Sequence, residues 1–367
     1  MMQLITLILD KLLALFPGLQ PYPRVLQFPI TGRCNSKCGT CSVPELAPDV
    51  DMTIERVRQI MQNDLFKKLQ AIGINGGEPS LVKELPAIIA ELLCLPKLKS
   101  IHMITNGMLT ERILEITKEI NESCKAKGVH FSLSVSLDGI EEVYWACRGV
   151  SSFSKTIDTI KTVVENPGTY CSSFSAGCTV SKYNVDHLAA NDAYCAEYNI
   201  PIFYRLAVPN RRIYNMGYSD DFSVLTDDAD RRTAMEFFFG KIVDRRCRDW
   251  KQKFTYYAIF KYLEGKGHVR LADCFWKWRD ATVDELGNIY YCATESKCLG
   301  TLDGSNATEI FHSKENLDYR KELIKEHCEH CIHYAFFPSI KGAFSFLFFF
   351  LHLVLFPARY QMGRRFH

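Results

Sequence analysis

Between about residues 25 and 206, short apolar runs rich in β-branched residues alternate with longer segments that have the apolar period of a helix. This alternation is typical of repeated βα units, whose strands lie parallel in one sheet. The strand-like runs are 25–31, 71–75, 100–105, 130–137, 173–180 and 202–206, and the helical segments include 53–69, 84–93 and 111–127. Six such units predict an α/β fold built on a partial (β/α)6 TIM-like barrel, whose chemistry belongs at the carboxyl ends of the strands.

The cysteine content could indicate either a disulfide scaffold or a protein with metal-binding thiols. Fifteen cysteines in 367 residues could form disulfides, but disulfide scaffolds are typically short and secreted. The N-terminal residues lack the basic region and the cleavage site of a secretory signal, so we expect reduced, metal-binding thiols in a cytoplasmic protein. The formal charge of +2, from 44 basic and 42 acidic residues, gives no basic field that would attract nucleic acid.

Three cysteines follow the first predicted strand: Cys34, Cys38 and Cys41. Three thiolates within so short a segment can each bind one iron of a cubane, which leaves the fourth iron open to another ligand. The alternative is a zinc knuckle, but a structural zinc ion needs four ligands and usually takes paired Cys-x-x-Cys units. The spacing therefore favours a [4Fe-4S] cluster with an open coordination site.

Further motifs follow the next three strands. They are Gly76-Gly77-Glu78-Pro79, Thr105-Asn106-Gly107, and Ser134-Val-Ser136-Leu-Asp138-Gly139 with Arg148-Gly149 after it. Together with the three cysteines they resemble the radical S-adenosylmethionine (SAM) superfamily, over roughly residues 24–335. One position departs from that family, which usually has an aromatic residue before the third cysteine where this chain has Thr40.

The resemblance implies that SAM chelates the open iron of the cluster. In the family the Gly-Gly-Glu-Pro segment receives the amino group of SAM, residues after the third and fourth strands approach its ribose or methionine part, and an arginine meets its carboxylate. The positions that match these roles in this sequence are Gly76, Gly77, Glu78, Pro79, Asn106, Ser136 and Arg148. SAM as a cofactor follows from the resemblance, which agrees with the [4Fe-4S] cluster that the cysteine spacing favours.

A second group of cysteines lies in the last third of the chain. It consists of Cys274, Cys292, Cys328 and Cys331. The segments between them resemble the SPASM and twitch modules of radical SAM enzymes, and because no cysteine follows Cys331 the resemblance is to the shorter twitch type. It implies one auxiliary [4Fe-4S] cluster on these four residues, with structural zinc as the alternative. Cys298 is close enough in sequence to be an alternative ligand, and we expect His330 and His333 at the surface.

Both ends of the chain are apolar. Residues 2–16 can form an amphipathic helix, and the segment 343–356 is rich in phenylalanine and is followed by Arg359, Arg364 and Arg365. Neither segment reaches the roughly 18 to 20 residues that span a bilayer. They suit helices that lie in a cytoplasmic membrane interface, which predicts peripheral membrane contact. The alternative is that both ends pack on the barrel or form a dimer contact.

These patterns divide the chain into five parts. They are an N-terminal amphipathic helix at 1–20, the barrel at 21–210, a connecting region at 211–271, a separate small cysteine-rich α+β module at 272–335 and an apolar, basic tail at 336–367. We predict one helix near 227–250 in the connecting region and another near 315–326 in the module.

The resemblance implies that a cellular reductant such as flavodoxin or ferredoxin drives cleavage of SAM to a 5′-deoxyadenosyl radical, which takes a hydrogen atom from the substrate. Our first hypothesis is oxidation of a sugar, cyclitol or lipid-linked small molecule, because an auxiliary cluster can accept the remaining electron. One alternative is an epimerase in which the thiol of Cys147 returns a hydrogen atom, and another is a maturase of ribosomal peptides (RiPP type). A non-catalytic alternative is a metal-binding membrane scaffold.

Overall fold

The alternating runs between 25 and 206 form six parallel strands. The structure, a computed structural model, describes residues 13, 16, 19–333 and 337–355. The strands are β1 Val25–Pro29, β2 Ala71–Asn75, β3 Ser100–Thr105, β4 His130–Ser136, β5 Ser173–Val180 and β6 Ile202–Leu206. Their order in the sheet follows the chain, and all neighbours are parallel. The predicted α/β class is confirmed, and the open sheet is consistent with a partial barrel.

Helices connect these strands. They are α1 Val43–Leu46, α2 Ile54–Met61, α3 Leu85–Leu92, α4 Thr110–Ala126, α5 Glu142–Arg148, α6 Phe153–Glu165 and α7 Leu188–Glu197. The hydroxyl of Thr53 caps α2 by accepting a hydrogen bond of 3.2 Å from the backbone N–H of Arg56. The helix predicted at 53–69 is shorter than expected, because α2 ends before Asn63 and a 3-10 turn follows at Asp64–Phe66.

The two faces of the strands differ in polarity, since successive side chains of a strand point to opposite faces. On β3, Ile101 and Met103 are fully buried in the main hydrophobic core, which also contains the apolar faces of α3 and α4. His102 and Ile104 alternate with them and line an internal cavity, together with Ser134 of β4. The inner face of the sheet therefore encloses a lumen whose wall contains both polar and apolar side chains.

Three strands of the cysteine-rich module continue the same sheet. They are β8 Ala281–Val283, β9 Asn288–Tyr290 and β10 Gly300–Thr301, and they complete a nine-stranded sheet. β8 pairs in parallel with β1, with Ala281 opposite Leu26. The expectation of a separate module is wrong in this respect, because β8 satisfies the backbone groups that β1 would otherwise expose at the sheet edge.

The connecting region contains two long helices where we predicted one. After a short α8 at Ser219–Phe222, α9 spans Asp228–Val243 and α10 spans Trp250–Glu264. Each begins at an aspartate cap: Asp227 accepts from Ala229 N at 2.7 Å, and Asp249 from Lys251 N at 2.8 Å. α10 is buried on nearly every side, so its sequence lacks the polar face by which an amphipathic helix is recognised.

The remaining elements complete the module and the tail. They are β7 Ala272–Asp273, α11 Ala307–His312, α12 Lys314–Glu326, β11 Phe337–Pro338 and α13 Ile340–Leu355. α12 is the helix predicted near 315–326. β7 and β11 pair antiparallel, so the start of the tail is joined by a two-stranded sheet to the start of the module.

α13 packs against the protein with one of its faces. The phenol of Tyr257 lies 2.7 Å from the hydroxyl of Ser345, and the ring of Phe346 contacts those of Trp250 and Phe254. The opposite face is exposed. Its large apolar side chains are Ile340, Phe344, Leu347, Phe348, Leu351 and Leu355. One face of α13 thus packs on the protein, as the packing alternative expects. The other face presents the exposed apolar surface that the membrane hypothesis requires.

Within the described part of the chain, no helix is long and apolar enough to cross a membrane. The helix predicted at 1–20 lies almost entirely outside the described residues, which include Leu13, Phe16 and Leu19 from that segment. The same holds for the three arginines of the C-terminal tail.

Candidate active site

The loop that carries the first three cysteines follows β1 and is tied to the end of α5. The backbone N–H of Lys37 donates to the carbonyl of Arg148 at 2.9 Å, and that of Gly39 donates to the carbonyl of Cys147 at 3.1 Å. The hydroxyl of Ser36 also donates to the carbonyl of Arg148, at 3.0 Å. These bonds hold the loop, here called the cysteine loop (residues 33–41), at the carboxyl ends of β1 and β4.

The thiols of the cysteine loop are half-buried. Burial raises the pKa of Cys34 to about 11 and that of Cys41 to about 12. Both are therefore protonated at neutral pH when no metal is present. Iron must displace these protons when it binds, because only a thiolate is a strong ligand.

The Gly-Gly-Glu-Pro segment supports the cysteine loop through its backbone. The N–H of Gly77 donates to the carbonyl of Thr31, and the N–H of Glu78 donates to the carbonyl of Arg33, both at 2.8 Å. A β-carbon on Gly77 would lie 2.0 Å from the oxygen of Arg33, and Gly76 has a φ of 131°. Both positions therefore require glycine. Such a close approach of two loops fits a site built around a compact inorganic group.

Glu78 is 1% exposed, and its carboxylate already accepts four hydrogen bonds. The donors are the backbone N–H and hydroxyl of Ser80 (3.1 and 2.7 Å), the hydroxyl of Thr105 (2.6 Å) and the backbone N–H of Asn106 (2.7 Å). Three of these donors meet Oε1 and one meets Oε2, so Oε2 keeps room for a further donor. Glu78 thus joins the ends of β2 and β3, and its expected contact with the amino group of SAM stays a prediction.

The residues after β3 and β4 lie beside the cysteine loop. The amide of Asn106 donates to the side chain of Asn35 at 2.6 Å, and Ser136 is buried at the end of β4. Arg148 donates to the carboxylate of Asp138 at 3.1 Å, and its buried Nε has no hydrogen-bond partner among the described residues. A buried guanidinium N–H of this kind fits the anionic ligand that the resemblance assigns to Arg148.

Cys147 lies behind the cysteine loop and away from the lumen. Its thiol is 5% exposed and donates to the carbonyl of Asp138 at 3.7 Å. It does not line either of the cavities of the lumen. This position does not favour the hypothesis that Cys147 returns a hydrogen atom to a substrate radical.

Two cavities of about 220 and 410 Å³ adjoin each other in the lumen. They share five lining residues: Gln27, Asn75, Ile104, Arg205 and His333. The first cavity reaches Thr40 and Gly76 and so adjoins the cysteine loop, while the second extends to Trp276. The expectation that His333 lies at the surface is wrong, because the chain returns from Cys331 along the lumen wall.

The second group of cysteines is brought together as predicted. Cys274, Cys292, Cys328 and Cys331 line one cavity, here called the auxiliary cavity. Cys298 is exposed and lines a different cavity with Arg211 and Tyr290. Across the described residues, no three His, Cys, Asp or Glu side chains converge closely enough to hold a single metal ion. A cubane does not require that convergence, because each thiolate binds a different iron.

Buried arginines surround the auxiliary cavity. Arg320 donates from Nη2 to the carbonyl of Trp276 at 3.0 Å, and its guanidinium lies 4.3 Å from the ring centre of Tyr291. Burial lowers the pKa of Arg320 to about 10, so it remains charged at neutral pH. Arg270 lines the same cavity and donates to the carbonyl of Cys331. Buried cations beside four thiols fit a cofactor of negative charge, such as a cubane held by thiolates.

The family model named Radical SAM superfamily matches residues 28–179, which run from β1 to the end of β5. The domain formed by these residues belongs to the radical SAM superfamily. Proteins of this superfamily use a [4Fe-4S] cluster and SAM. The match covers the cysteine loop, the Gly-Gly-Glu-Pro segment and the residues after β3 and β4.

The curated relatives that match part of this chain include GTP 3′,8-cyclases. The probable GTP 3′,8-cyclase of Archaeoglobus fulgidus is 33% identical over 144 residues, which are 38% of this chain and 44% of that protein. The GTP 3′,8-cyclase of Clostridium acetobutylicum is 29% identical over 149 residues, 38% of this chain and 43% of that protein. The chain thus matches less than half the length of these relatives.

The likeness to two solved structures extends beyond the radical SAM domain and covers most of this chain. Native anSMEcpe with bound AdoMet has a TM-score of 0.60 and 16% identity, over 92% of this chain and 100% of that chain. SuiB of Streptococcus suis bound to S-adenosylmethionine has a TM-score of 0.57 and 16% identity, over 88% and 77% of the two chains. Both are radical SAM enzymes with SPASM- or twitch-type modules. At this identity the likeness concerns the fold alone.

Three residues of the site escaped the sequence analysis: Arg205, Trp276 and His333. A signal existed for Arg205, which is a charged residue inside an otherwise apolar strand, Ile-Phe-Tyr-Arg-Leu. Charged residues are rarely buried without a partner or a function. Trp276 lies in a short 3-10 turn and His333 in a bend, and no pattern of period or spacing connects them with the lumen.

Proposed function

We propose that this chain is a radical SAM enzyme that oxidises a substrate held in the lumen. Cys34, Cys38 and Cys41 would hold the catalytic [4Fe-4S] cluster, with SAM in the first cavity beside Gly76. The reduced cluster and SAM, when bound, would supply the chemistry that removes a hydrogen atom from an unactivated carbon of the substrate. Cys274, Cys292, Cys328 and Cys331 would hold the auxiliary [4Fe-4S] cluster, and a flavodoxin or ferredoxin would supply the electron.

One observation carries the proposal of oxidation: Trp276 lines both the lumen and the auxiliary cavity. Trp276 would therefore lie between a substrate in the lumen and the second group of cysteines. A substrate that has lost a hydrogen atom completes a two-electron oxidation by losing one electron and one proton. The auxiliary cluster would take the electron across Trp276, and the proton would pass to solvent.

The residues of the lumen support a hydroxylated substrate. Hydrogen-bonding groups line the inner face of the sheet, and His102 Nδ1 lies 2.8 Å from the hydroxyl of Ser132. A sugar or cyclitol would exchange its bonds with water for bonds to these groups. A nucleotide is a second candidate, because the curated relatives of the radical SAM domain are GTP 3′,8-cyclases. Epimerisation through Cys147 has less support, since that thiol lies outside the lumen.

The test is SAM cleavage by anaerobically reconstituted full-length protein with dithionite as the reductant. We expect about eight iron and eight sulfide per chain, from two four-iron cubanes, and release of 5′-deoxyadenosine. Replacement of Cys34, Cys38 and Cys41 by Ala should leave about four iron and abolish release. Wild-type protein with a full iron content and no cleavage would instead support the non-catalytic metal-binding scaffold.

We also propose that the exposed face of α13 contacts an anionic membrane surface. Its six exposed apolar side chains recur at helical spacing on one side, and Phe348 is 64% exposed. Trp250 is 61% exposed, and its ring centre lies 5.1 Å from that of Phe350, so it extends the apolar surface of α13.

Basic residues adjoin this surface. The loop before α10 and its first turn carry the exposed side chains of Arg245, Arg246, Arg248 and Lys251 around Trp250. Arg246 is paired with Asp244 at 3.0 Å. Tryptophan beside basic side chains is typical of proteins that bind the headgroup region of anionic lipids.

A further inference from the structure

The charged groups of the lumen have one sign. Among the described residues that line its two cavities, the charged side chains are Arg205 and Arg212, and none is Asp or Glu. Arg212 has its counter-ion outside the lumen, because it forms a buried ion pair with Glu285. Arg205 is the charged side chain that lines both cavities.

Arg205 extends into the middle of the lumen. It lies next to the last residue of β6, opposite Thr179 of β5 in the sheet register. Its Nη2 is 3.6 Å from the place where a β-carbon on Gly177 would stand, so the side chain reaches back over β5. Arg205 lines both cavities. The absence of a side chain at Gly177 leaves room for the guanidinium.

The positive charge of Arg205 acts on its surroundings. Burial, and then the charge of Arg205, lower the pKa of His102 to about 4. The imidazole is neutral at pH 7 and does not compete with Arg205 for a negative ligand. Ser134 and Ser175, whose hydroxyls lie 3.0 Å from each other, add hydrogen-bonding groups to the same wall.

We propose that Arg205 binds an oxyanion of the substrate, a phosphate or a carboxylate group, and so selects anionic substrates. This inference rests on the proposal that the lumen is the substrate site. A planar guanidinium forms two parallel hydrogen bonds to either oxyanion, and it does so more strongly in a site shielded from water. The substrate is then a hydroxylated compound that carries an acidic group. Arg205 holds that group while the carbon to be oxidised faces the first cavity.

The test measures binding without turnover. Three matched sugars serve as probes: glucose 6-phosphate, glucuronate and glucose. Their binding to oxidised, iron-loaded full-length protein is measured by calorimetry at constant ionic strength. We expect one of the two anions to bind at least about tenfold more tightly than glucose, as expected for a charge-assisted hydrogen bond. The anion that binds distinguishes a phosphate site from a carboxylate site.

Variants connect this preference with Arg205. Arg205→Gln should reduce the preference for the anion by about 10- to 100-fold, and Arg205→Lys, which keeps the charge, should retain part of it. Arg232→Gln is the matched control, because Arg232 is exposed on α9 and donates to the backbone of Asp228. Its preference should equal that of the wild type.

Several outcomes would overturn the inference. Equal binding of all three sugars by the wild type would do so even if Arg205→Gln failed to fold. So would a preference that survives both substitutions at Arg205. If Arg205→Gln lost affinity for SAM while keeping the preference for the anion, Arg205 would serve the carboxylate of SAM. Failure of the proposed function is observed separately, as absence of SAM cleavage by the reduced wild type.

Discussion

At the scale of single residues, spacing pointed to the four cysteines that line the auxiliary cavity, but it did not reveal the hydrogen bonds of Glu78. The four cysteines line one auxiliary cavity. Two of them, Cys328 and Cys331, form a Cys-x-x-Cys pair, which can be recognised in the sequence without knowledge of the fold. The role of Glu78 depends on which donors surround it, and the sequence does not contain that information. Arg205 and Trp276 line the lumen because of the path that their chain segments take in the folded protein, and the sequence does not show that path.

The four hydrogen bonds of Glu78 lead to a prediction that separates folding from cofactor binding. In Glu78→Gln the new NH2 group faces donors from Ser80, Thr105 or Asn106, so buried polar groups lose partners. We expect the free energy of unfolding to fall by about 1–3 kcal/mol, measured by urea denaturation. Affinity for SAM should decrease along with it.

The control for this variant is Glu84→Gln, because Glu84 is an exposed carboxylate at the start of α3. Neither stability nor SAM affinity should change there. If Glu78→Gln weakened SAM binding while the free energy of unfolding stayed at the wild-type value, the carboxylate would act on SAM directly.

The contact between Gly77 and Arg33 predicts a selective loss of iron. An alanine at position 77 would place its β-carbon 2.0 Å from the carbonyl oxygen of Arg33, so the cysteine loop must shift. We expect Gly77→Ala to retain about four iron per chain, those of the auxiliary cluster, against about eight in the wild type. Gly240→Ala, in a helix where no atom lies within 4 Å of the new β-carbon, should keep them all. A full iron content in Gly77→Ala would refute the argument.

At the scale of elements, the positions of the strands were predictable from the sequence, but the pairing of β8 with β1 was not. β2, β3, β5 and β6 have the bounds that the apolar runs indicate, because period and turn residues are local signals. α10 was missed because burial on nearly all sides removes its amphipathic pattern. The pairing of β8 with β1 joins residues more than 250 positions apart in the chain, and no local pattern encodes it.

α12 brings a positive charge to the auxiliary cavity, which predicts an effect on redox potential. The reduced state of a cluster carries one more negative charge than the oxidised state, so the buried Arg320 stabilises the reduced state. Arg320→Gln should lower the midpoint potential of the auxiliary cluster by about 60 mV, the shift for a tenfold change in a one-electron equilibrium. Redox titration monitored by electron paramagnetic resonance measures this potential.

The catalytic cluster provides an internal control for this titration, since Arg320 lies outside the residues that line the lumen. Lys321→Gln is the second control, because Lys321 is exposed on α12 and bonds to Asp318 at 2.8 Å. A potential that is unchanged in Arg320→Gln, or one that rises, would show that the charge of Arg320 does not act on the cluster.

At the scale of the whole molecule, one sheet connects the parts of the site. The strands β1–β6 enclose the lumen, the cysteine loop follows β1, and β8 joins the auxiliary module to the same strand. This arrangement fixes the auxiliary cavity next to the lumen, with Trp276 in the wall of both. The sheet thus places the cysteine loop and the auxiliary cavity on the borders of one lumen.

The apolar face of α13 leads to the last prediction, which is tested by flotation with liposomes. Wild-type protein should bind vesicles that contain phosphatidylglycerol and should bind neutral phosphatidylcholine vesicles more weakly. Replacement of Leu347 and Phe348 by Ser should reduce binding to both, because it removes apolar insertion and leaves the packed face of α13 intact. Replacement of Arg245, Arg248 and Lys251 by Gln should weaken binding to the anionic vesicles by about 100-fold, from about 1 kcal/mol per basic side chain.

Tyr198→Ser is the control for apolar exposure, because Tyr198 is an exposed aromatic residue at the end of α7 and not part of this surface. It should bind vesicles as the wild type does. Each variant must also keep its iron content, so that a change in binding reflects the surface and not unfolding. The membrane proposal fails if the wild type ignores both kinds of vesicle. If the wild type is instead a dimer that the Leu347 and Phe348 substitutions dissociate, a second copy of the chain covers α13, because an apolar face of this extent requires a cover.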